Sequence, residues 1–289
     1  MKRKSRHISD RIPGIRLKKS LGQHLLMDRD ILRDIVKACD LGDNTTVLEI
    51  GSGVANLTEG LAKNAREVAA IELDPQFSVY HSRIRMLYSN VDFIYGDVMD
   101  LDLNEIGMVK NAEDLVITGN IPYGITSPLI MKILESRLCF RVMVFMIQKE
   151  VAERINSPAG SKKVSAFTMK VRYYCETEII RTVPRTSFKP PPRVDSAVLR
   201  FHPGKQHPLK EDERKDFFSL LKGAFSQKRK TVTNSLTNAF SGQFSKDEIR
   251  EALLESGITP TQRAESIRFD QYMTLFKRFR QIKQKNNQN

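Results

Sequence analysis

The feature that most constrains this chain is an alternation running from residue 45 to residue 148. Aliphatic and β-branched runs (TTVLEIGSG, EVAAIELD, VDFIYGD, DLVITGN and FRVMVFMIQ) are separated by stretches with helical character (NLTEGLAKNA, FSVYHSRIRMLYS and SPLIMKILES). Strands buried on both faces read as near-continuous apolar runs, so the pattern predicts an α/β fold with a parallel sheet covered by helices on both sides. Upstream, LGQHLLMDRDILRDIVKACDL predicts one more helix, with Ile31, Leu32, Ile35 and Val36 on one face. Downstream, YYCETEIIRTVP and DSAVLRF predict an antiparallel pair on the sheet edge. The SFKPPPR segment between them, with three consecutive prolines, predicts a stiff extended link.

After HPGKQHPL the strand signal stops. EDERKDFFSLLKGAFS, KRKTVTNSLTNAF, SKDEIREALLESG and FDQYMTLFKRFRQI all predict helices. The expected organisation is therefore a basic flexible arm over residues 1–20, a Rossmann-like domain over 21–204 and an all-helical domain over 205–289.

Charge narrows the partner. The chain carries a formal net charge of +13, and its first twenty residues hold eight Lys/Arg against one Asp. Further blocks stand at SQKRKT and KRFRQIKQK. Such clustering suits phosphate tracking and makes nucleic acid the leading partner, with a merely basic enzyme as the alternative. No apolar run of about 18 residues predicts a membrane span. The basic N-terminus lacks the apolar stretch of a secretory signal, while a mitochondrial transit segment stays open. Cys39, Cys139 and Cys175 lie far apart with no metal-ligand spacing, which predicts reduced thiols in a cytosolic protein and no metal site.

Open α/β sheets bind ligands at the carboxyl ends of their strands, so the residues at those tips carry the functional signal. The first tip is Gly51-Ser52-Gly53, a turn at which backbone amides can approach a nucleotide closely. Alone it is a weak sign, because Asn56 stands where the dinucleotide fingerprint requires a third glycine. The second tip is Glu72, about 20 residues further on, where a carboxylate can accept from ribose hydroxyls. The third is Asp97, placed to accept from an adenine amine. Each acid alone is an ordinary strand-end residue; three successive tips together are harder to dismiss.

The fourth tip reads Gly119-Asn120-Ile121-Pro122-Tyr123-Gly124. The lone pair of an adenine exocyclic amine is delocalised into the ring, so the amine is a poor nucleophile. Two acceptors on its N–H groups favour a pyramidal nitrogen and free that lone pair. Asn120 offers a side-chain oxygen and Ile121 a carbonyl, while Pro122 fixes the turn between them and Tyr123. Tyr123 offers a flat face on which the base can stack. Phe188, in the stiff SFKPPPR segment, can face the same base from its other side or pack in the core. His24 and Leu26, in LGQHLL, can close over a bound cofactor; for His24 a helix-start cap is the alternative.

In this order, GQHLL, VLEIGSG, IELD, GD, GNIPY, SFKPPPRVDSAVLR, FSQKRKTVTNSL and QRAESI closely resemble the KsgA-type small-subunit rRNA adenine dimethyltransferases over residues 16 to 276. The resemblance implies a class I methyltransferase fold with a small helical C-terminal domain and S-adenosylmethionine as methyl donor. It also implies dimethylation of two adjacent adenosines in a hairpin near the 3′ end of small-subunit (16S) rRNA, within a pre-ribosomal particle; a monomeric, cytoplasmic enzyme is expected. By position, the cofactor contacts would be His24, Leu26, Gly51, Glu72, Asp97 and Asn120, and Tyr123 and Phe188 would sandwich the base. Lys228, Arg229 and Lys230 would hold RNA phosphates, with weak sequence readout. The departures are His24 where asparagine is frequent, Ser52 where proline is frequent, and Gly124 where a polar residue is common. A sulfonium is already electrophilic, so neither metal nor protein nucleophile is called for. A large-subunit adenine methyltransferase of the macrolide-resistance type shares the same four tips, although SFKPPPRVDSAV and FSQKRKTVTNSL favour the small-subunit reading. A non-catalytic RNA-binding assembly factor on this fold is the alternative from another class. An NAD-linked dehydrogenase leaves GNIPY unexplained.

Overall fold

The structure, a computed structural model, describes residues 15, 17–18, 21–136, 138–204 and 209–286. Most of the expected basic arm, the segment 205–208 at the start of the expected second domain, and the last three residues lie outside the described residues. The described residues form two compact units, one within Met1–Ala152 and Thr177–Pro203, the other within Glu153–Glu176 and Gly204–Asn289. The chain thus crosses between units near residue 204, and also at 152/153 and 176/177, which the sequence pattern does not signal.

In chain order the first unit contains β1 (Leu25–Leu26), α1 (Arg29–Cys39), β2 (Thr45–Ile50), α2 (Asn56–Ala62), β3 (Glu67–Glu72), α3 (Ser78–Leu87), β4 (Val91–Tyr95), α4 (Gly107–Lys110), β5 (Asp114–Asn120), α5 (Thr126–Glu135) and β6 (Val142–Gln148). Then follow α6 (Lys149–Ile155), α7 (Ala166–Tyr174), β7 (Cys175–Val183), β8 (Phe188–Lys189) and β9 (Ser196–Pro203). The main sheet has the order β4-β3-β2-β5-β6-β9-β7. Strands β2 to β6 pair in parallel, whereas β9 runs antiparallel to β6. The apolar runs behave as expected: Val47, Leu48, Val116, Ile117 and Val142 to Ile147 are all buried. Winding outward from β2 in both directions creates a switch point between the carboxyl ends of β2 and β5.

Three local expectations change. Only residues 29–39 of the helix expected over 21–41 are helical, because Asp28 caps α1 by accepting from the Asp30 and Ile31 amides. Leu25 and Leu26 instead pair as a strand with Lys189 and Phe188. Tyr173 and Tyr174, expected in a strand, end α7, which starts at a capping box formed by Ser165 and Thr168. Strands β9 and β7 do lie side by side at the sheet edge, as expected, with β7 outermost. Within the stretch expected to be flexible, Ile15 packs with Leu25 and Phe77, and the Lys18 amine bonds Asp74 at 3.1 Å.

The second unit carries α7 and the helices α8 (Glu211–Ala224), α9 (Val232–Ala239), α10 (Lys246–Glu255) and α11 (Phe269–Asn286). Its core combines aliphatic side chains with a cluster of rings. Phe217 meets Tyr173 at 5.9 Å and Phe276 at 5.5 Å between ring centroids, distances at which aromatic pairs attract.

Candidate active site

The site grows from the strand tips of the first unit. After Ile50 the chain turns through Gly51 and Gly53, whose φ values of 78° and 51° suit glycine. Ile71 O receives the amides of Gly51 and Ser52, so the turn is fastened to β3. At the end of β3, Glu72 Oε2 accepts from Gly53 N at 2.7 Å and Oε1 from Asp74 N at 2.8 Å. Burial raises the Glu72 pKa above the usual carboxylate value, against the pull of these amides. Asp97, just past β4, accepts the Met99 amide at 2.8 Å and stays half-buried.

These tips open into one cleft, with about 790 Å³ of empty space counted out to its mouth. His24, Gly51, Glu72, Asp97, Asn120, Ile121, Pro122 and Tyr123 all line it. Apolar side chains of Ile71, Phe77 and Val98 line it as well.

At the tip of β5, Gly119 passes so close to β2 that a Cβ there would collide with the Ile50 carbonyl oxygen. Asn120 follows. Its Nδ2 donates to the backbone carbonyl of His24 at 2.8 Å, and a carbonyl can only accept, so the amide's orientation is fixed with Oδ1 as the remaining acceptor. The Ile121 amide donates to Met146 O at 3.0 Å, and among the described residues the Ile121 carbonyl accepts no hydrogen bond. Tyr123 is half-buried, its hydroxyl 2.8 Å from Ser196 Oγ, and its ring lies 5.9 Å from that of His24 at an interplanar angle of 28°. His24 Nδ1 reaches the Pro190 carbonyl at 2.8 Å, which sets the imidazole at the mouth rather than at a helix start.

Two expected site residues are placed elsewhere. Phe188 is only 2% exposed and belongs to the apolar core with Leu26, Ile35 and Met146. The pairing of β8 with β1 turns its ring inward, so it does not face Tyr123 across the cleft. The Leu26 side chain is buried in that same core, although its carbonyl accepts from Asn56 Nδ2 at 3.0 Å and its neighbour Leu25 lines the cleft. Lys228, Arg229 and Lys230 are exposed on a turn between α8 and α9 in the second unit.

Three supports of the site, Gln23, His81 and Glu49, carry no motif of their own in the sequence. Gln23 donates to Asp74 at 2.9 Å; against the raising effect of burial, hydrogen bonds from Gln23 and Lys18 hold the Asp74 pKa below its usual value. His81 is buried beneath the glycine turn, stacked on Phe93 at 3.9 Å. Its Nε2 lies 2.9 Å from Gly53 O, an acceptor, so Nε2 carries the proton and Nδ1 accepts from the Tyr95 hydroxyl at 2.8 Å. Burial lowers its pKa to about 4. Glu49, on β2 under the same turn, is 1% exposed with Oε2 unpaired, and burial pushes it up to about 8. A polar residue at an apolar position of a helix or strand is the one signal that marks His81 and Glu49 in the sequence.

A parallel sheet with an antiparallel β9, a glycine turn at the switch point and acids on the next two tips define a class I S-adenosylmethionine-dependent methyltransferase fold. The chain belongs to the ribosomal RNA adenine dimethylase family, whose profile matches residues 14–281. A ribosomal RNA small subunit methyltransferase A from Geobacillus sp. (strain WCH70) is 39% identical over 91% of this chain and 91% of its own length. Its counterpart from Geobacillus kaustophilus is 40% identical over 91% and 90%. Among solved structures, a dimethyladenosine transferase from Plasmodium falciparum superposes with a TM-score of 0.79 at 29% identity, covering 90% of this chain and 98% of that one. The 23S rRNA methyltransferase ErmE gives a TM-score of 0.69 at 25% identity, covering 89% and 99%.

The residues present fit S-adenosylmethionine. The cleft draws its lining from the tips of β2, β3, β4 and β5. Its glycine turn bears no Cβ where a nucleoside would approach, acceptors stand at Glu72 and Asp97, and its walls are apolar.

Proposed function

We propose that this cleft binds S-adenosylmethionine and that the β5 tip beside it holds the exocyclic amine of the target adenine. The protein is an rRNA adenine dimethyltransferase, and its substrate is a pair of adjacent adenosines near the 3′ end of small-subunit (16S) rRNA. We place the reaction in a pre-ribosomal particle in the cytoplasm, with the enzyme acting as a monomer. Among the described residues no helix is long and apolar enough to cross a membrane.

The observation that carries this reading is the anchored Asn120 amide. With Nδ2 bound to His24 O, Oδ1 is left as an acceptor, next to the Ile121 carbonyl, and neither oxygen is paired among the described residues. Together they take the two N–H groups of an adenine amine and leave its lone pair free. Tyr123 supplies the stacking face. Glu72 would hold ribose hydroxyls, Asp97 an adenine amine of the donor, and the Gly51–Gly53 turn its nearby backbone approach. His24 and Leu25 close the same cleft from the N-terminal side. When bound, S-adenosylmethionine supplies a methyl on a positively charged sulfur. The protein's part is to hold the amine in line and keep water away, an effect of positioning. After the first transfer the cationic nitrogen gives up one proton to solvent, and the neutral amine must then rotate and be gripped again through its one remaining N–H. The exposed cluster Lys228–Arg229–Lys230 would hold RNA phosphates.

Primer extension across small-subunit rRNA from cells lacking this protein tests the reading. The expected result is loss of the stop at two adjacent adenosines, restored by the wild-type gene. A stop lost in large-subunit RNA instead would assign the other substrate.

A further inference from the structure

Stacking uses the face of the Tyr123 ring, which a phenylalanine would provide equally well, so the hydroxyl at its far end needs a separate explanation. That hydroxyl is 2.8 Å from Ser196 Oγ. Ser196 is fully buried and opens β9, where it pairs with Gln148 of β6; the carbonyl of the preceding Asp195 receives the Lys149 amide at 3.0 Å. The serine is therefore fixed by the rigid sheet. Tyr123 is not: it follows the β5 tip in a turn closed by Ile125 N donating to Pro122 O, and Gly124 beside it is exposed with no other group near its Cβ position.

We propose that Ser196 is a positioning residue for methyl transfer, a latch that holds the Tyr123 ring at one angle so that the stacked adenine meets the acceptors of Asn120 and Ile121. This rests on the reading above of Tyr123 as the stacking face. A ring held only by its Cβ sweeps through a range of angles, and the base turns with it. An amine must lie in line with the methyl group to react, so the loss falls on turnover rather than on binding. The same segment also steadies the opposite ring, because the Pro190 carbonyl bonds His24 Nδ1. Residues 190–196 thus brace both aromatic groups at the mouth.

The test compares Tyr123→Phe, Ser196→Ala and the double variant on small ribosomal subunits that lack the modification, with S-adenosylmethionine as donor. Each single variant should lose about tenfold in kcat, as expected for a misoriented reactant. Donor Kd and KM for the particle should stay near wild type, and the double variant should be no slower than either single one. Ser196→Thr, which keeps a hydroxyl, should recover activity. Tyr123→Phe leaves the sheet and Ser196 untouched, so its result stands even where Ser196→Ala fails to fold. Wild-type kcat in Tyr123→Phe, or losses that multiply in the double variant, would overturn the latch. Activity abolished by Asn120→Ala but untouched by Tyr123→Phe overturns the latch alone; a wild-type enzyme that methylates no adenine overturns both the latch and the reading beneath it.

Discussion

The Gly53 amide and the Glu72 carboxylate meet at 2.7 Å, which ties the glycine turn after β2 to the tip of β3. The other Glu72 oxygen accepts the Asp74 amide, so both oxygens are held while each keeps a lone pair for a ligand hydroxyl. Replacing Glu72 by glutamine puts an NH₂ group opposite one of these backbone donors. An unmade buried hydrogen bond costs about 1–3 kcal/mol. Isothermal titration of Glu72→Gln with S-adenosylmethionine should therefore show binding weaker by between about fivefold and about a hundredfold, since about 1.4 kcal/mol is a factor of ten.

Gly119 admits no side chain, because the Ile50 carbonyl occupies the space and both residues belong to paired strands. Gly119→Ala must push β5 away from β2 at the switch point. Overpacking of this kind costs about 1–3 kcal/mol, and chemical denaturation should register it. Methyl transfer should fall as well, since Asn120 is the next residue.

Glu49 and His81 give opposite pH dependences. Burial raises the Glu49 pKa from 4.5 to about 8, so between those values the unfolded chain gives up a proton that the folded protein keeps, and stability falls as pH rises. Burial lowers the His81 pKa from 6.5 to about 4, so below 6.5 the unfolded chain takes up a proton that the folded protein refuses, and stability falls as pH drops. Glu49→Gln removes the first effect. Its Tm should exceed that of the wild type by more at pH 8 than at pH 5, as followed by thermal denaturation.

RNA binding should depend steeply on salt. If about six phosphates are neutralised, the log–log slope is near −4, at about −0.7 per phosphate for single strands. Replacing Lys228, Arg229 and Lys230 together by alanine should flatten the slope by about 2 if each meets one phosphate. An unchanged slope would assign these exposed cations another role.

The parallel core was legible in the sequence because its strands are buried on both faces and therefore written in apolar residues, and each tip follows directly from where a run ends. Gly51, Glu72, Asp97 and Asn120 could be placed on one rim by that logic alone. Phe188 could not be placed, because the same apolar letter serves a core ring and an exposed one, and only the β1–β8 pairing turns it inward. The bond between Tyr123 and Ser196 joins residues 73 positions apart, and that between Asn120 and His24 spans 96. Contacts at such separation leave no local periodicity. Helix α7 was hidden by the tyrosines at its end, which suit a strand equally well until the Ser165 cap is seen to start a helix.

The central claim is that the Asn120 side-chain oxygen and the Ile121 carbonyl grip the adenine amine while Nδ2 stays tied to His24. Single-turnover methyl transfer by Asn120→Ala, measured beside its affinity for S-adenosylmethionine, tests it most directly. The expected result is donor binding largely retained with transfer slowed by orders of magnitude; transfer at a near wild-type rate would contradict the account.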